Sequence, residues 1–224
     1  ELREDEGAQF GMGGVGYVNQ LYGPDQELRT LQRRHSRFVN TTMMVTLLGA
    51  AISDGLDDGR VVSGVGGQYN FVSMAHALPD ARSILCVRAT RSKAGKVTSN
   101  IVWNYGHVTI PRHLRDIVVT EYGIADLRGC TDSEIVMALL NVADSRFQDS
   151  LLAQAKAARK IASDYRIPDA FTNNTPAKLV RALAAHRKTG FFSDYPFGTD
   201  LTSEEIVLAG TLKSLQARTS SLLG

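Results

Sequence analysis

The stretch VVSGVGGQYNF, residues 61–71, places three glycines within four positions between two apolar segments. Residues 60–65 are typical of a short strand that ends on the glycines, and residues 68–78 carry apolar side chains at helical spacing. Glycines between a strand and a helix let a ligand approach the backbone, and the first amides of the helix can hold negative charge. A tight turn that binds nothing explains the same pattern. The Lys-Ser/Thr ending of a nucleotide P-loop is missing.

Strand and helix patterns alternate around this stretch and then give way to helices alone. We expect further strands at residues 37–48, 82–90, 99–105 and 106–113, and one in the segment 116–127, which opens with the continuous Ile-Val-Val run of a parallel strand covered on both faces. A loop is expected at residues 92–96, and a helix at residues 23–37 with Leu28 and Leu31 facing inward. Four later helices are expected at residues 131–143, 147–161, 175–190 and 202–223, the first opened by the capping pair Thr131 and Glu134. This order predicts an α/β domain, residues 1–168, and a helical extension, residues 169–224.

Composition argues against several classes of function. Of the 224 residues 43% are hydrophobic, and the formal net charge of +2 is not gathered into a basic face, so no nucleic-acid partner is expected. No apolar run approaches the roughly 18 residues of a membrane span, and we identify no signal peptide. Two cysteines, Cys86 and Cys130, make no disulfide framework and favour a cytoplasmic location. The first residue, Glu1, indicates a piece of a longer chain.

A second glycine cluster, GMGGVG at residues 11–16, fits the dinucleotide fingerprint G-x-G-x-x-G letter for letter. That fingerprint binds a dinucleotide only between a strand and a helix of a βαβ unit. The following residues 17–24 are more typical of strand or loop, so we expect a loop here and no cofactor. No histidine pair has metal-ligand spacing and no G-x-S-x-G motif appears, so neither a metal site nor a hydrolase triad is expected.

Two polar residues stand out within the predicted strands. Glu121 follows the apolar run IVVT, and ligands of open parallel sheets bind at the carboxyl ends of strands. A partly desolvated carboxylate at this position can act as base, acid or nucleophile, although a carboxylate that only satisfies amides in a turn is as plausible. Asn40 lies inside the apolar strand FVNTTM. Its amide needs partners there, which either a site or a structural hydrogen bond can provide.

Four strings of the chain resemble, in order, the C-terminal half of the acetyl-CoA hydrolase/transferase family, a branch of the class I CoA-transferases. They are RFVNTTMMVTLLGAA, VVSGVGGQYNFVSMAHALPDARSILCVRATR, SNIVWNYGHVTIPRHLRDIVVTEYGIADLRG and ADSRFQDSLLAQAKA. The resemblance runs from about residue 19 to about residue 167. It implies an open, mainly parallel sheet of the CoA-transferase type flanked by helices, packed against an N-terminal domain of the same protein with the active site between them.

The resemblance also implies roles for particular residues. Asn40 matches an active-site asparagine, and Gly67, with Gly66 beside it, matches the glycine whose amide lines the oxyanion and CoA region. Glu121 matches a second active-site glutamate that is not the nucleophile. Lys93 matches, with a loose alignment, a lysine near the CoA moiety, although a solvated loop lysine is the ordinary alternative. The nucleophilic glutamate belongs upstream of Glu1, so we expect this chain alone to lack turnover.

The leading hypothesis is therefore an acyl-CoA hydrolase or carboxylate CoA-transferase that works through a glutamyl-CoA intermediate. Acyl-CoA and a small carboxylate are the expected partners, coenzyme A thioester is a substrate, and no cofactor is permanently bound. The resemblance suggests a homodimer. The alternative is a non-catalytic module that binds CoA or acyl-CoA, with the helical extension as an interaction surface.

Overall fold

The structure, a computed structural model, describes residue 11 and residues 13–222. Its helices are α1 (Val15–Asn19), α2 (Gln26–Gln32), α3 (Gln68–Ala77), α4 (Asp132–Asn141), α5 (Ser145–Ala157), α6 (Pro176–Lys188) and α7 (Ser203–Leu222). Its strands are β1 (Arg37–Thr41), β2 (Met44–Thr46), β3 (Ala51–Ile52), β4 (Arg82–Cys86), β5 (Thr90–Lys93), β6 (Lys96–Ser99), β7 (Ile101–Val102), β8 (Ile117–Thr120) and β9 (Gly123–Asp126). Short 3-10 turns lie at Arg112–Leu114 and Asp169–Phe171.

The main sheet has four strands in the order β1-β4-β8-β9. β1, β4 and β8 run parallel, and β9 returns antiparallel to β8 at the edge. The predicted α/β class with an open, mainly parallel sheet is confirmed. Because side chains alternate along a strand, Thr41, Cys86 and Val119 form one cross-strand row at the carboxyl end of the sheet.

The segment 37–48 was expected to be one strand, and this expectation is wrong. The chain leaves the main sheet at Thr42, whose N–H donates to Cys86 O while its hydroxyl donates to Ile52 O at 2.7 Å. From Met44 onward it joins a second sheet in the order β3-β2-β7. The hydroxyl of Thr42 thus replaces a strand partner at the point where the two sheets separate, which the apolar pattern does not reveal.

Two other local predictions fail. Residues 60–65 form no strand, since Val61 makes only an isolated bridge with Gly55 and its side chain is 74% exposed. Residues 92–96, predicted as a loop, are the tip of the β5–β6 hairpin, whose two turn residues, Ala94 and Gly95, both have positive φ as a two-residue hairpin turn requires. The segments 99–105 and 106–113 contribute only β7 and a bridge from Ile110 to Ala51.

The helical predictions hold better. Thr131 and Glu134 form a complete capping box at the start of α4, and helices follow near all three later predicted positions. In α2, however, Leu28 and Leu31 are exposed rather than inward. Arg33, the C-cap residue of this helix, donates to Gln20 O at 3.0 Å, so hydrogen bonding rather than apolar burial docks this helix. A five-residue helix, α1, begins at Val15 within the glycine cluster of residues 11–16, where a loop was predicted; Met12 of that cluster lies outside the described residues.

The hydrophobic core lies between the sheets and the helix pair α4–α5. Leu139 and Leu140 of α4 are fully buried there, together with Val45 of the second sheet and Val118 of the main sheet. This packing fixes the main sheet on one side and leaves its carboxyl edge accessible. Within the described residues, no helix is both long enough and apolar enough to cross a membrane.

The chain forms two compact units, one ending at Leu179 and the other beginning at Val180. The predicted domain boundary after residue 168 stays a prediction. Asn174, beyond that boundary, belongs to the first unit, and its side chain donates to Asn141 O at 2.8 Å and Ala143 O at 3.0 Å. The second unit contains most of α6 and all of α7, and its aromatic side chains Phe191, Phe192 and Phe197 are exposed.

Candidate functional site

Two adjoining cavities lie at the carboxyl ends of the parallel strands. The larger, of about 760 Å³, is lined by Glu121 and Lys93 among others, and the smaller, of about 410 Å³, by Asn40 and Gly67. Both have residues 41–43 in their walls, where the chain passes between the sheets. The structure thus brings four of the five predicted site residues to one edge of the sheet, divided between two cavities. Gly66 lines neither.

Asn40 is half-buried on β1, and its Nδ2 atom is buried without a hydrogen-bond partner among the described residues. A buried donor without an acceptor is costly, by about 1–3 kcal/mol, and is rare in folded proteins. Of the two explanations open at the sequence level, a structural hydrogen bond from this amide nitrogen is absent within the described chain. The donor therefore has no partner within the described chain, and its residue lines the smaller cavity.

The glycine segment enters α3 directly, with Gly67 as the N-cap residue. Gly66 has φ +59°, a left-handed conformation that side chains other than glycine disfavour. A Cβ on Gly67 would lie 2.7 Å from Asn19 Nδ2 and 3.0 Å from Phe71 Cε2, so a side chain there requires its neighbours to move. Within the described residues, the N–H groups of Gly66 and Gly67 donate to no acceptor. These amides are therefore free to receive negative charge.

Gln68 anchors this segment to the sheet. Its side chain is 6% exposed, and Nε2 donates to Thr41 O at 3.0 Å at the end of β1. The failed strand prediction for residues 60–65 therefore does not displace the glycines from the sheet edge, because Gln68 holds the start of α3 there instead.

Asp54 fixes the loop that leads into the glycines. Its carboxylate accepts a bond from the Thr109 hydroxyl and one from His107 Nε2 at 2.9 Å, and both hold the pKa of Asp54 below its usual value. Its backbone carbonyl accepts from Val62 N at 2.7 Å and Ser63 N at 3.2 Å. One residue thus joins the segment before the glycines to the segment around residues 107–109.

Glu121 occupies the two-residue turn between β8 and β9. Its Oε2 accepts a hydrogen bond from Ala89 N–H at 2.8 Å, but the residue is exposed, so the expected partial desolvation is wrong for this chain. The turn position explains the exposure, because β9 folds back from it along the sheet edge and covers nothing above the carboxylate. Glu121 thus lies on the wall of the larger cavity, with Oε2 held by Ala89 N–H and Oε1 without a hydrogen-bond donor among the described residues.

The neighbouring Tyr122 fixes the same turn from the other side. Its hydroxyl donates to Asp144 Oδ2 at 2.8 Å, and burial and the adjacent carboxylate raise the pKa of this phenol. Asp144 is fully buried at the N-cap of α5, where burial alone would raise its pKa, but bonds from Arg146 and Tyr122 outweigh burial and lower it. The turn that carries Glu121 is therefore tied to the core.

Cationic side chains line the larger cavity together with the carboxylate of Glu121. Arg91 and Lys93 share a face of β5 because they are two residues apart, and both line the cavity together with Arg88. Arg91 Nη1 donates to Asn100 Oδ1 at 3.2 Å and to Met44 Sδ at 2.9 Å. Lys93, predicted in a loop, thus lies at the end of a strand. The described residues contain no cluster of three His, Cys, Asp or Glu side chains able to hold a metal ion.

Several residues of this edge were not identified from the sequence. Gln68 and Tyr122 directly follow predicted site residues, which is the only signal the sequence offers for them. Asp54 lies in an Asp-Gly pair that is equally typical of a plain turn. Arg91 and Asn100 carry no local motif at all, since their pairing depends on the hairpin β5–β6 folding back toward β2.

Known proteins are similar in sequence to most of the first compact unit. The family model of the acetyl-CoA hydrolase/transferase C-terminal domain matches residues 3–155. A 4-hydroxybutyrate coenzyme A transferase of Clostridium kluyveri is 34% identical over 120 residues, 53% of this chain and 28% of that protein. An acetyl-CoA hydrolase of Saccharomyces cerevisiae is 30% identical over 107 residues, 46% of this chain and 19% of that protein.

A solved structure supports the same relationship. The crystal structure of RipA from Yersinia pestis is 32% identical in sequence, with a TM-score of 0.55 over 66% of this chain and 32% of that chain. The chain spans less than a third of the length of the curated relatives it matches. The family match covers more than half of the chain, including the strands, the glycine segment and the Glu121 turn, and the protein therefore belongs to the acetyl-CoA hydrolase/transferase family through its C-terminal domain.

Proposed function

We propose that this chain is the C-terminal catalytic domain of an acyl-CoA hydrolase or carboxylate CoA-transferase. The observation that carries the proposal is the pair of adjoining cavities at the strand ends, which share residues 41–43 and bring Asn40, Gly67 and Glu121 to one edge. The names of the curated relatives, which are CoA-transferases and acetyl-CoA hydrolases, support the reaction class.

The smaller cavity supplies donors for the oxyanion that each acyl-transfer step develops. The N–H group of Gly67 and the Nδ2 atom of Asn40 belong to residues that line this cavity, and neither has an acceptor within the described chain. The N–H group of Gly66, directly before Gly67 in the chain, has none either. Donors that are fixed before the reaction stabilise a developing negative charge without reorganisation. The left-handed Gly66 and the Gln68 anchor keep the amides at the edge of the sheet.

The attacking carboxylate comes, in this proposal, from a glutamate outside the chain, on the N-terminal domain of the same protein. It adds to the thioester carbonyl, the C–S bond breaks, and CoA leaves as a thiolate. The thiolate then attacks the glutamyl carbonyl of the anhydride, whose C–O bond breaks to give glutamyl-CoA and the free acyl carboxylate. An incoming carboxylate attacks the glutamyl carbonyl of glutamyl-CoA, and the C–S bond breaks to release CoA thiolate. The thiolate then attacks the acceptor's carbonyl in the new anhydride, which gives the product acyl-CoA and frees the glutamate; water in place of the carboxylate gives free CoA and the glutamate. Glu121 assists as a second carboxylate that positions the acceptor, and it takes the proton when the acceptor is water.

The remaining expectations follow from this assignment as proposals. The isolated chain lacks turnover, the working protein pairs this domain with its N-terminal domain and forms a homodimer, and the reaction takes place in the cytoplasm. Coenzyme A thioester and a small carboxylate are substrates, and no permanently bound cofactor or metal takes part.

Exchange of CoA between acetyl-CoA and butyrate, measured in the gene product that carries this chain, tests the proposal. Glu121→Gln should slow exchange by about 100-fold, because butyrate arrives already ionised and a lost positioning contact costs roughly that much. Glu27→Gln, an exposed glutamate on α2, is the matched control and should leave the rate unchanged. Borohydride trapping should detect a glutamyl thioester that Glu121→Gln still forms.

Other results would contradict the assignment. A borohydride-sensitive thioester on Glu121 itself would make this residue the nucleophile. Tight CoA binding by the gene product without any exchange would favour the alternative, a non-catalytic acyl-CoA-binding module.

A further inference from the structure

The larger cavity has an uneven charge distribution. Its wall contains three cationic side chains, Arg88, Arg91 and Lys93, and one carboxylate, Glu121. The chain as a whole carries a formal net charge of only +2. Within the described residues, none of the three cations lies within 4 Å of a carboxylate oxygen, whereas Arg82, Arg112, Arg128 and Arg146 are all ion-paired. A cavity with excess unpaired positive charge attracts an anion.

Arg91 is the one cation of the three that the structure holds in place through its guanidinium. Asn100 is 6% exposed, accepts from Arg91 Nη1 at 3.2 Å through Oδ1, and donates from Nδ2 to Arg88 O at 2.9 Å. The sulfur of the buried Met44 accepts from the same Nη1 atom. These contacts use one nitrogen of the guanidinium and leave Nε and Nη2 without acceptors in the described chain. An arginine fixed in this way presents two donors to a planar carboxylate.

The rest of the cavity wall suits a short aliphatic chain. Met43, Leu56, Val87 and Val119 contribute apolar surface beside the charged groups. An aliphatic wall with one fixed guanidinium fits an acyl chain that ends in a carboxylate. The methylene groups are stabilised by apolar contact, and the terminal carboxylate is stabilised by two parallel hydrogen bonds from the guanidinium, the bidentate fork. A phosphate group would use the guanidinium but not the aliphatic surface.

We propose that this cavity selects dicarboxylic substrates, with Arg91 binding the carboxylate at the far end of the acyl chain. The proposal rests on the proposed function, which identifies the thioester end of the acyl chain as the end that reacts. It deepens that function by naming the substrate class. Arg91 acts through substrate binding and takes no part in bond making.

Succinate and butyrate provide a matched pair of probes, because both have four carbons and only succinate has a second carboxylate. Titration of the 224-residue chain, followed by NMR chemical shifts, should give tighter binding of succinate by about 10-fold or more, as expected for a charge-assisted bond. Arg91→Ala should abolish this preference. Arg91→Lys, which keeps the charge and loses the fork, should retain part of it. Lys96→Ala removes a cation of the same hairpin that does not line the cavity, and should retain all of it.

The outcomes separate this proposal from the proposed function, because binding of free succinate requires no turnover. Equal affinities for succinate and butyrate in the wild-type chain, or a preference that survives Arg91→Ala, would overturn it. If Arg91→Ala does not fold, an undiminished preference in Arg91→Lys overturns the bidentate fork. Arg91 would be assigned to a CoA phosphate instead if Arg91→Ala loses affinity for CoA but not for dephospho-CoA. In that case the variant also keeps its preference for succinate. Failure of CoA exchange with an intact, Arg91-dependent preference contradicts only the proposed function.

Discussion

At the scale of single residues, the glycines of residues 64–67 are distinguished by backbone conformation rather than by spacing. Gly66 has φ +59°, whereas a Cβ on Gly64 meets no atom within 4 Å and no positive φ constrains it. Gly66→Ala should therefore lower the free energy of unfolding by about 1 kcal/mol, and Gly64→Ala should leave it nearly unchanged. Urea unfolding of the two variants compares the same substitution two positions apart. Equal losses would show that the left-handed conformation of Gly66 is not required.

Single residues were predicted from the sequence where a polar group in an apolar segment clearly required a hydrogen-bond partner or a ligand. Asn40 in an apolar strand and Glu121 at a strand end were both recognised as polar groups in unusual places, and the structure puts both on cavity walls. Arg91 and Asn100 were missed because a surface arginine is ordinary, and only the fold brings it next to a buried amide.

At the scale of elements, the β8–β9 turn depends on the N-cap of α5. The pKa of the buried Asp144 is lowered from 3.8, since bonds from Arg146 and Tyr122 outweigh the effect of burial. A lowered folded-state pKa stabilises the protein at pH values above 3.8, and this contribution is lost as the pH falls through the folded-state pKa. Asp144→Asn should therefore be less stable than wild type at neutral pH, and its stability should fall less steeply on acidification.

Chemical unfolding between neutral pH and about pH 2 measures this difference in slope. Asp149→Asn, on the exposed side of the same helix, is the control for loss of one negative charge and should keep wild-type stability at neutral pH. Parallel pH profiles for Asp144→Asn and wild type would refute the assigned role of the Asp144 carboxylate.

Helices and strands were predicted correctly where neighbouring residues determine them. The predictions failed where contacts between distant segments determine the local structure. The capping box of α4 and the helix after Gly67 follow from neighbouring residues. The strand expected at residues 37–48 breaks because the Thr42 hydroxyl bonds across to Ile52, a contact between segments whose proximity the apolar pattern does not encode. Likewise, the valines at residues 61–62 look like a strand but find no ladder to join.

At the scale of the whole molecule, the first compact unit extends to Leu179, past residue 155, where the family match ends. Asn174, 4% exposed, donates two bonds to the junction of α4 and α5, and Gln148 Nε2 donates to Phe171 O at 2.9 Å. A chain ending at residue 168 should therefore be less stable than one ending at residue 179 by about 2 kcal/mol or more, since these three side-chain bonds, at roughly 1 kcal/mol each, are lost with some relaxation. Urea unfolding of both chains gives the difference, and equal stabilities would place the boundary at residue 168.

We infer that the carboxyl edge of the main sheet holds hydrogen-bond donors reserved for substrate. Asn40→Ala, compared with wild type for both CoA exchange in the gene product and stability, tests it most directly. Because Nδ2 of Asn40 is buried without a partner in the described chain, its removal should cost little or no stability, while exchange falls by about 100-fold through loss of an oxyanion donor. An Asn40→Ala protein that is clearly destabilised yet exchanges CoA at the wild-type rate would contradict the account.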